Sequence, residues 1–347
     1  MKKLLSFVAI AATAALTLCC NKNEVINVEK ENESHHPYVM TKGYGDKEPI
    51  IIVDVETNDV NPLLALGYTL NIDDDTTIPF IDIVNLFAAN IHSTNVNNVV
   101  QPTLYLNDKL VNVLENGGVS TYIAPLQEQG IKVCLSTLGD WDNLGHGNMT
   151  STQAQQFAYI CAAAVSKYGL DGIDCDDEYS GTNATVTNSY GNIIYYLRQY
   201  MGTSKLIEVF RYGHYGQIYT TAGAQINYAY PNFYSYNSSS SISGVGTSQW
   251  CPFSINLSSP YYSTSWFTNL LNGGYPGVFF FNLQKLNSYQ GTTPLDVFQD
   301  VSDAVYDGAT VGTNSYANAD RTAGSVSGGF TITYAMAQHY FTYGTWE

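Results

Sequence analysis

Short, continuous runs of apolar residues recur along the chain from about residue 48 onward. Most of these runs lack the polar alternation of a half-exposed strand, as is typical of parallel strands that are buried on both faces. They predict strands at 49–55, 81–89, 131–138, 170–175, 206–211, 226–234, 250–257 and 277–282.

Segments with helical periodicity lie between several of these runs. They predict helices at 103–117, 119–129, 150–167, 188–201 and 295–306. Residues 212–225 are poor in helix-forming residues. Eight strands that alternate with helices over about 260 residues predict an α/β fold, a (β/α)8 TIM barrel, with one or more helices shortened or missing.

The two ends of the chain differ in character from the middle. We assign the barrel to 48–310, and we expect the Gly-, Ser-, Thr- and Asn-rich residues 311–347 to form an extension packed on it. Met1-Lys2-Lys3 followed by an apolar run too short to span a bilayer predicts a signal peptide at 1–19, and the polar residues 20–47 predict a tether.

The end of the apolar run resembles a bacterial lipoprotein signal, in which a cysteine becomes the lipidated N-terminus. Leu16, three places before Cys19, favours Cys19, whereas the preference for a small residue immediately before the cysteine favours Cys20. We expect Cys19 to be the lipidated residue. The protein is then an exported lipoprotein at the outer membrane or cell surface that meets the membrane only through its lipid, with simple secretion as the alternative.

Composition narrows the class of ligand. A net charge of −16 argues against nucleic acid as a partner, because phosphate binding needs Lys and Arg. The 28 Tyr in a chain with only 13% charged residues suit neutral sugars, whose C–H faces stack on aromatic rings, although many Tyr also fill a core. The cysteines at 134, 161, 175 and 251 are expected to be buried free thiols. We expect no metal, no cofactor and a monomer.

Acidic side chains are most concentrated at residues 171–178, where five of the eight residues carry a carboxylate. On a strand, alternation sends Asp174, Asp176 and Glu178 to one face and Asp177 to the other. Like charges on one face repel each other unless protons are shared, which favours a site that moves protons. The alternative, a solvated or calcium-binding loop, is disfavoured by the apolar segment before the cluster and by the absence of EF-hand spacing.

The pattern Asp171-x-x-Asp174-x-Asp176-x-Glu178 resembles the signature of glycoside hydrolase family 18. Further stretches look like the endo H and endo F subgroup, at 53–70, 86–91, 126–133 and 167–174. This resemblance implies an endo-β-N-acetylglucosaminidase that hydrolyses the GlcNAc-β-1,4-GlcNAc core bond of N-linked glycans on glycoproteins, of high-mannose or hybrid type. The alternatives are a chitinase-like hydrolase and a non-catalytic glycan-binding lipoprotein on the same fold.

The resemblance also implies roles for single residues. Glu178 is the general acid and base, Asp176 accepts the substrate acetamido N–H, Asp174 holds or shares a proton, and Tyr234 donates to the acetamido carbonyl. Further substrate-binding residues implied at strand ends are Asn90, Asn232, Phe281 and Asn282. Residues 140–146 differ from the subgroup pattern, which leaves the substrate range at that loop open.

Overall fold

The computed structural model describes residues 47–73, 76–181, 183–285, 288–320 and 328–346. The predicted signal peptide, the candidate lipidation sites Cys19 and Cys20, and all of the predicted tether except Lys47 lie outside these ranges.

Strands supply the centre of the fold. In chain order they are β1 (Ile50–Glu56), β2 (Tyr68–Asn71), β3 (Thr77–Pro79), β4 (Ile83–Val96), β5 (Val99–Leu106), β6 (Lys132–Gly139), β7 (Gly172–Asp176), β8 (Leu206–Arg211), β9 (Tyr228–Pro231), β10 (Ser254–Asn256), β11 (Gly277–Phe281), β12 (Thr310–Thr313) and β13 (Phe330–Thr333).

Parallel pairing joins the strands that the apolar runs predict. Their order in the sheet is β10-β11-β1-β4-β6-β7-β8-β9. A parallel bridge between Ala229 and Trp250 connects β9 to the segment that leads into β10, and the Cys251 N–H donates to the Ala229 carbonyl at 2.8 Å. The ring therefore closes, and the predicted barrel is confirmed.

Helices surround this ring. They are α1 (Asp108–Leu114), α2 (Ala124–Glu128), α3 (Ser151–Tyr168), α4 (Ser189–Met201), α5 (Thr220–Gly223), α6 (Thr264–Gly273), α7 (Pro294–Val305) and α8 (Tyr334–Tyr343), with a π-helix at Val119–Ile123 just before α2. Between β8 and β9 there are only a 3-10 turn and the single-turn α5. This agrees with the prediction of a shortened or missing helix, which rested on the poor helix-forming residues at 212–225. Among the described residues, no helix combines the length and apolar character needed to cross a membrane.

The predicted helix at 103–117 is wrong in its first part. β5 runs through Leu106 and forms an antiparallel hairpin with β4, whose turn residues Asn97 and Asn98 have φ angles of 52° and 64°. Val99 and Val100 favour the extended backbone, and pairing with β4 satisfies their peptide groups. The helix begins only after Asn107, whose side chain accepts the N–H groups of residues 109 and 110 at 3.0 Å each.

The described part of the C-terminal segment lies along the outside of the barrel. β12 pairs with β2, and β13 pairs with β5, both antiparallel. The Tyr340 hydroxyl of α8 lies 3.1 Å from Ser166 of α3, and the ring of Phe341 lies 4.9 Å from that of Tyr159. The segment adds to the barrel's outer layer.

Two apolar layers form the core. The larger layer lies between the strands and the helices around them. The smaller one consists of strand residues and residues next to the strands: Ile52, Ile83, Cys134, Leu206, Tyr230, Cys251 and Phe279. The cysteines at 134, 161, 175 and 251 are buried free thiols, as the sequence predicts.

Candidate active site

A pocket of about 250 Å³ opens at the C-terminal ends of the barrel strands. Its lining is carboxylic and aromatic: Asp54, Glu56, Phe87, Leu138, Asp176, Glu178, Tyr179, Phe210, Tyr234, Phe279 and Phe281. This volume is slightly below the ~300–1,000 Å³ of typical small-molecule sites, which suits one ring-sized ligand. Barrel enzymes place their chemistry at this end.

The acidic cluster lies as strand alternation predicts. Asp174 and Asp176 are buried on β7, and Glu178 follows at the pocket surface, where it is half-buried. Asp177 points away from the pocket, and its Oδ2 accepts both the backbone N–H of His214 at 2.6 Å and the ring Nδ1 of His214 at 2.8 Å. Asp176 and Glu178 therefore share one wall of the pocket, while Asp177 anchors the chain between them.

Two histidines stabilise the charged form of Asp177. Burial alone would raise the pKa of Asp177, but the hydrogen bond from His214 and the nearby His146 outweigh it and lower the pKa. Burial lowers the pKa of His146 to about 4, so its ring is neutral near pH 7. The His146 Nε2 lies 3.0 Å from the Thr137 hydroxyl on β6, which ties the loop after β6 to the barrel wall.

Asp174 lies below Asp176 and is fully hydrogen-bonded. Its Oδ2 accepts from the Ser136 hydroxyl at 2.7 Å, and its Oδ1 accepts from the Tyr230 hydroxyl at 2.5 Å. Burial raises the pKa of Asp174 to about 6. The group can therefore take up or release a proton near neutral pH.

Asp176 has a different environment. Burial, together with the charges of Glu178 and Asp174, raises its pKa well above the ordinary range. Its Oδ1 is buried and has no hydrogen-bond partner within the described residues. A buried acceptor without a donor is unusual in a native structure. At the edge of a pocket it is satisfied when a ligand brings an N–H or O–H group.

Sequence reasoning missed a polar layer under Asp174. Asn85 donates through Nδ2 to Glu208 Oε2 at 3.2 Å and to the Tyr230 hydroxyl at 3.1 Å. Burial raises the pKa of Glu208 to about 8, so this carboxyl is protonated at neutral pH. The Tyr230 ring stacks on Phe279 with centroids 3.8 Å apart. These residues form a hydrogen-bonded layer under Asp174.

Two carboxyls of β1 were also missed. Alternation in Val53-Asp54-Val55-Glu56 directs Asp54 and Glu56 into the barrel, and this signal was visible in the sequence. Burial, with the charge of Asp174, raises the pKa of Asp54 well above its usual range.

Among the described residues, no group of three His, Cys, Asp or Glu side chains is arranged to hold a metal ion.

The structure brings Tyr234 and Phe281 into the pocket, opposite β7. Their rings stack with centroids 5.7 Å apart. Burial raises the pKa of the Tyr234 hydroxyl, so it stays a hydrogen-bond donor. Tyr234 has a φ of 44°, in the left-handed region that a bulky side chain seldom adopts. Tyr234 lines the pocket in this conformation.

The three predicted asparagines are not among the residues that line the pocket. Asn90 is half-buried on β4, opposite Tyr105 and Leu138 in the sheet. The Asn232 Oδ1 accepts from Arg211 at 3.3 Å, and the Asn282 Oδ1 accepts from Gln284. Contact between these asparagines and sugar hydroxyls remains a prediction.

Comparisons with known proteins agree with this geometry, although no protein-family model matches the chain. The chain is 30% identical over 256 residues to endo-β-N-acetylglucosaminidase F1 of Elizabethkingia meningoseptica, covering 69% of this chain and 73% of the relative. It is 36% identical over 194 residues to an endo-β-N-acetylglucosaminidase of Flavobacterium sp. (strain SK1022), covering 53% of this chain and 60% of that protein.

The fold is similar to that of EndoBT-3987 of Bacteroides thetaiotamicron. The structure of that protein in complex with Man9GlcNAc2Asn substrate gives a TM-score of 0.63 at 24% identity, covering 77% of this chain and 67% of that one. Its structure with Man5GlcNAc product gives 0.62 at 24% identity, covering 76% and 62%. With the carboxylates of β7 and the identity to the F1 enzyme, the chain belongs to the endo-β-N-acetylglucosaminidases of glycoside hydrolase family 18 and is a glycoside hydrolase.

Proposed function

We propose that this enzyme hydrolyses the β-1,4 bond between the two core GlcNAc residues of N-linked glycans, preferably of high-mannose or hybrid type. The observation that carries the proposal is the unsatisfied Oδ1 of Asp176 beside Glu178 in a pocket sized for one ring. The name of the F1 relative and the Man9GlcNAc2Asn complex of EndoBT-3987 support the choice of substrate.

The arrangement of the carboxyls favours catalysis assisted by the substrate. Asp176 and Glu178 are two residues apart, and that spacing along a strand corresponds to roughly 6.5–7 Å on one side of the ligand. An enzymic nucleophile has to attack from the face opposite the leaving oxygen. In this mechanism the acetamido oxygen of the substrate takes that role, forms a bond to the anomeric carbon and displaces the leaving oxygen.

Each side chain then has a defined step. Glu178 donates a proton to the leaving oxygen, and its carboxylate later removes a proton from the water that opens the oxazolinium ring. Asp176 accepts the acetamido N–H and stabilises the positive charge that develops on that group. Tyr234 donates to the acetamido carbonyl oxygen and orients it. The result is retention of configuration at the anomeric carbon.

Asp174 adjusts the charge on Asp176. Asp174 has a pKa of about 6, and the pKa of Asp176 is raised, so the two can share one proton in the free enzyme. When the substrate N–H reaches Asp176, the proton is better held by Asp174. The carboxylate charge then lies where the oxazolinium cation forms.

The alternatives have less support. Chitinases of this family commonly carry an inserted subdomain after the seventh barrel strand, but in the described chain only α6 lies between β10 and β11. A binding protein without activity would not need Glu178, which is present and lines the pocket.

Mass spectrometry of a treated high-mannose glycoprotein tests the proposal. One HexNAc should remain on each asparagine, and the freed glycan should end in a single reducing GlcNAc. Release of a glycan that carries both core GlcNAc residues, or conversion of Asn to Asp, would show that a different bond is cut. Activity only on complex biantennary chains would keep the mechanism and overturn the specificity.

We also propose that the protein is an exported lipoprotein that carries its lipid on Cys19, or on Cys20, with secretion as the alternative. The basic start and short apolar run support this proposal. Metabolic labelling with a fatty acid should mark the wild type. Cys19→Ser should lose the label if Cys19 is the site, and a label lost only in Cys20→Ser would move the site to Cys20.

A further inference from the structure

Glu178 lies beyond the last residue that the strand ladder holds. β7 ends at Asp176, and its pairing with β6 and β8 ends at the same residue. The segment that follows is irregular, and Tyr179 has a φ of 54°. Another contact must therefore fix the backbone that carries the Glu178 side chain at the pocket.

The side chain of Asp177, the residue before Glu178, makes such a contact. Its Oδ2 accepts the backbone N–H of His214 at 2.6 Å and the ring Nδ1 of His214 at 2.8 Å, and its Oδ1 accepts from the Ser180 hydroxyl. The His146 Nδ1 lies 3.9 Å from the same Oδ1. The segments after β6, β7 and β8 therefore meet at one carboxylate, which we call the Asp177 junction.

Two glycines allow these segments to approach each other so closely. A Cβ at Gly213 would lie 2.1 Å from the Asp177 carbonyl oxygen and 2.4 Å from its Oδ2. A Cβ at Gly147 would lie 2.1 Å from the Nδ1 of His214. A larger residue at either position would displace Asp177 or His214. The His214 ring is therefore packed between the loop after β6 and the Asp177 carboxylate.

His214 is the member of the Asp177 junction whose charge changes near neutral pH. The hydrogen bond to Asp177 raises the pKa of the His214 ring above its ordinary value of 6.5. The side chain is 36% exposed, so it exchanges protons with solvent, whereas the Asp177 side chain is wholly buried. Although burial opposes it, the hydrogen bond from His214 lowers the pKa of Asp177. The pair is a cation and an anion at mildly acidic pH.

Other titratable groups face the junction from the elements around it. Burial lowers the pKa of His146 to about 4, so its ring is neutral near pH 7. The ring of Tyr190 on α4 lies 5.0 Å from His146, and burial raises its pKa well above the ordinary value. Arg211 at the end of β8 remains charged. Asp176 and Glu178 line the pocket, and their titration is common to wild type and variants, so it cancels in a ratio of rates.

Resting on the proposed role of Glu178 as general acid, we infer that His214 is a positioning residue whose charged ring holds Asp177 and thereby sets the place of the Glu178 carboxyl. A charge-assisted hydrogen bond is roughly twice as strong as a neutral one, so the hold is firmest while the ring is protonated.

The pH dependence has a defined sign. Because the pKa of the His214 ring is raised above 6.5, its charge stabilises the folded chain fully below that value. This contribution is lost as pH rises through the raised pKa. Turnover should therefore contain a decrease toward alkaline pH that is separate from the protonation of Glu178 itself.

The test compares His214→Ala and His214→Asn with a matched control, His339→Asn on α8 outside the barrel. Asparagine at 214 can still donate an N–H to Asp177, but it cannot carry a charge. Values of kcat and KM are measured on a high-mannose glycopeptide at about pH 5.5 and about pH 9, on either side of the His214 titration. Crystal structures of the variants and an NMR titration of the wild-type His214 ring complete the set.

His214→Ala should lower kcat at the lower pH by at least about 10-fold, since a shift of about 1 Å in a catalytic group can cost roughly 10²-fold. KM should change little, because Glu178 acts on the leaving oxygen in the transition state. His214→Asn should lose less, and its kcat should approach that of the wild type at the higher pH, where the wild-type ring is also neutral. His339→Asn should match the wild type at both pH values.

A ratio of wild-type kcat to His214→Asn kcat that is equal at both pH values would overturn the inference, because the charge would then have no effect. Wild-type kcat in His214→Ala, with Glu178 in its original place, would overturn it as well. A rise in KM at unchanged kcat would assign His214 to substrate binding instead. A wild type that releases no glycan would refute the proposed function. The crystal structures and the NMR titration would still judge the His214–Asp177 pair, since neither needs a substrate.

Discussion

The hydroxyl of Tyr230 donates a 2.5 Å hydrogen bond to Asp174. The same hydroxyl lies 3.4 Å from Oε2 of Glu208, so one phenol bridges two buried carboxyls. A phenol has a single proton to donate, and at neutral pH the protonated Glu208 is a weaker acceptor of that proton than the Asp174 carboxylate. The bond to Asp174 is therefore retained while Asp174 is charged.

Glu208→Gln should change how stability depends on pH. The pKa of Glu208 is raised by burial from 4.5 to about 8, so between these values the folded chain holds a proton that the unfolded chain has released. The free energy of unfolding of the wild type therefore falls as pH rises through this window. Glutamine cannot ionise, so the variant should gain stability relative to the wild type from pH 5 to pH 8.

Urea unfolding at several pH values checks this difference, and Glu128→Gln on the exposed surface of α2 is the control. The control should leave the difference from wild type constant with pH. Parallel pH curves for wild type and Glu208→Gln would contradict the protonated state of Glu208.

Glu178→Gln should keep the fold and lose turnover. The amide cannot donate a proton to the leaving oxygen, and general acid–base catalysis contributes typically ~10²–10⁴-fold. The change should appear in kcat on a high-mannose glycopeptide, with an unaltered melting temperature as evidence of folding. Glycan release near the wild-type rate would remove Glu178 from the role of general acid.

Asp176→Asn should also strongly lower the rate of glycan hydrolysis, while turnover of an oxazoline donor is retained. Asparagine no longer provides the negative charge that stabilises the forming oxazolinium ion, but an oxazoline arrives with that ring already made. Parallel assays on glycopeptide and oxazoline measure the two steps. If Asp176→Asn released N-glycans at the wild-type rate, the substrate-assisted mechanism would not apply to this enzyme.

Gly139→Ala should displace the Glu178 carboxyl through the backbone. The added Cβ would lie 2.2 Å from the Glu178 carbonyl oxygen and 2.5 Å from that of Tyr179, so one of the two loops must move. A shift of about 1 Å in a catalytic group can cost roughly 10²-fold in rate. We expect kcat to fall by at least about 10-fold with a moderate loss of stability.

Gly216→Ala is the matched control for this change, because a Cβ there meets no atom within 4 Å. It should leave kcat unchanged. Equal activity of the two alanine variants would mean that the loops after β6 and β7 tolerate the extra methyl group, and the close approach would then have no role in catalysis.

The strands were predictable from sequence because barrel strands are buried on both faces and appear as apolar runs. The hairpin of β4 and β5 was missed, although Asn97-Asn98 is a turn signal of the kind that favours two-residue hairpins. Helical periodicity downstream was extended too far toward the N-terminus. Residues 103–106 have an extended backbone because β4 and β13 offer them pairing partners, and the β13 partners lie more than 200 positions away.

The sequence predicts those site residues whose orientation follows from the alternation of side chains along one strand. It places Asp174 and Asp176 toward the barrel interior, and it would have done the same for Asp54. It cannot find Asn85 as a partner of Glu208, because these residues are 123 positions apart and meet only through barrel closure. Nor can it give the raised pKa of Glu208, since burial is a property of the folded chain.

The pairing of β7 with its neighbouring strands distinguishes the residues of this enzyme that are held in place from the loop residues that can be exchanged. Asp174 is in register with Ser136 on one side and Glu208 on the other, and Asp176 is in register with Leu138 and Phe210, so the strand ladder sets the positions of these two carboxyls. The loop of residues 140–146 follows the end of β6 and lies outside this ladder. Exchange of residues 140–146 between relatives should therefore change which glycoproteins the enzyme accepts, while the buried carboxyls of β7 keep their positions.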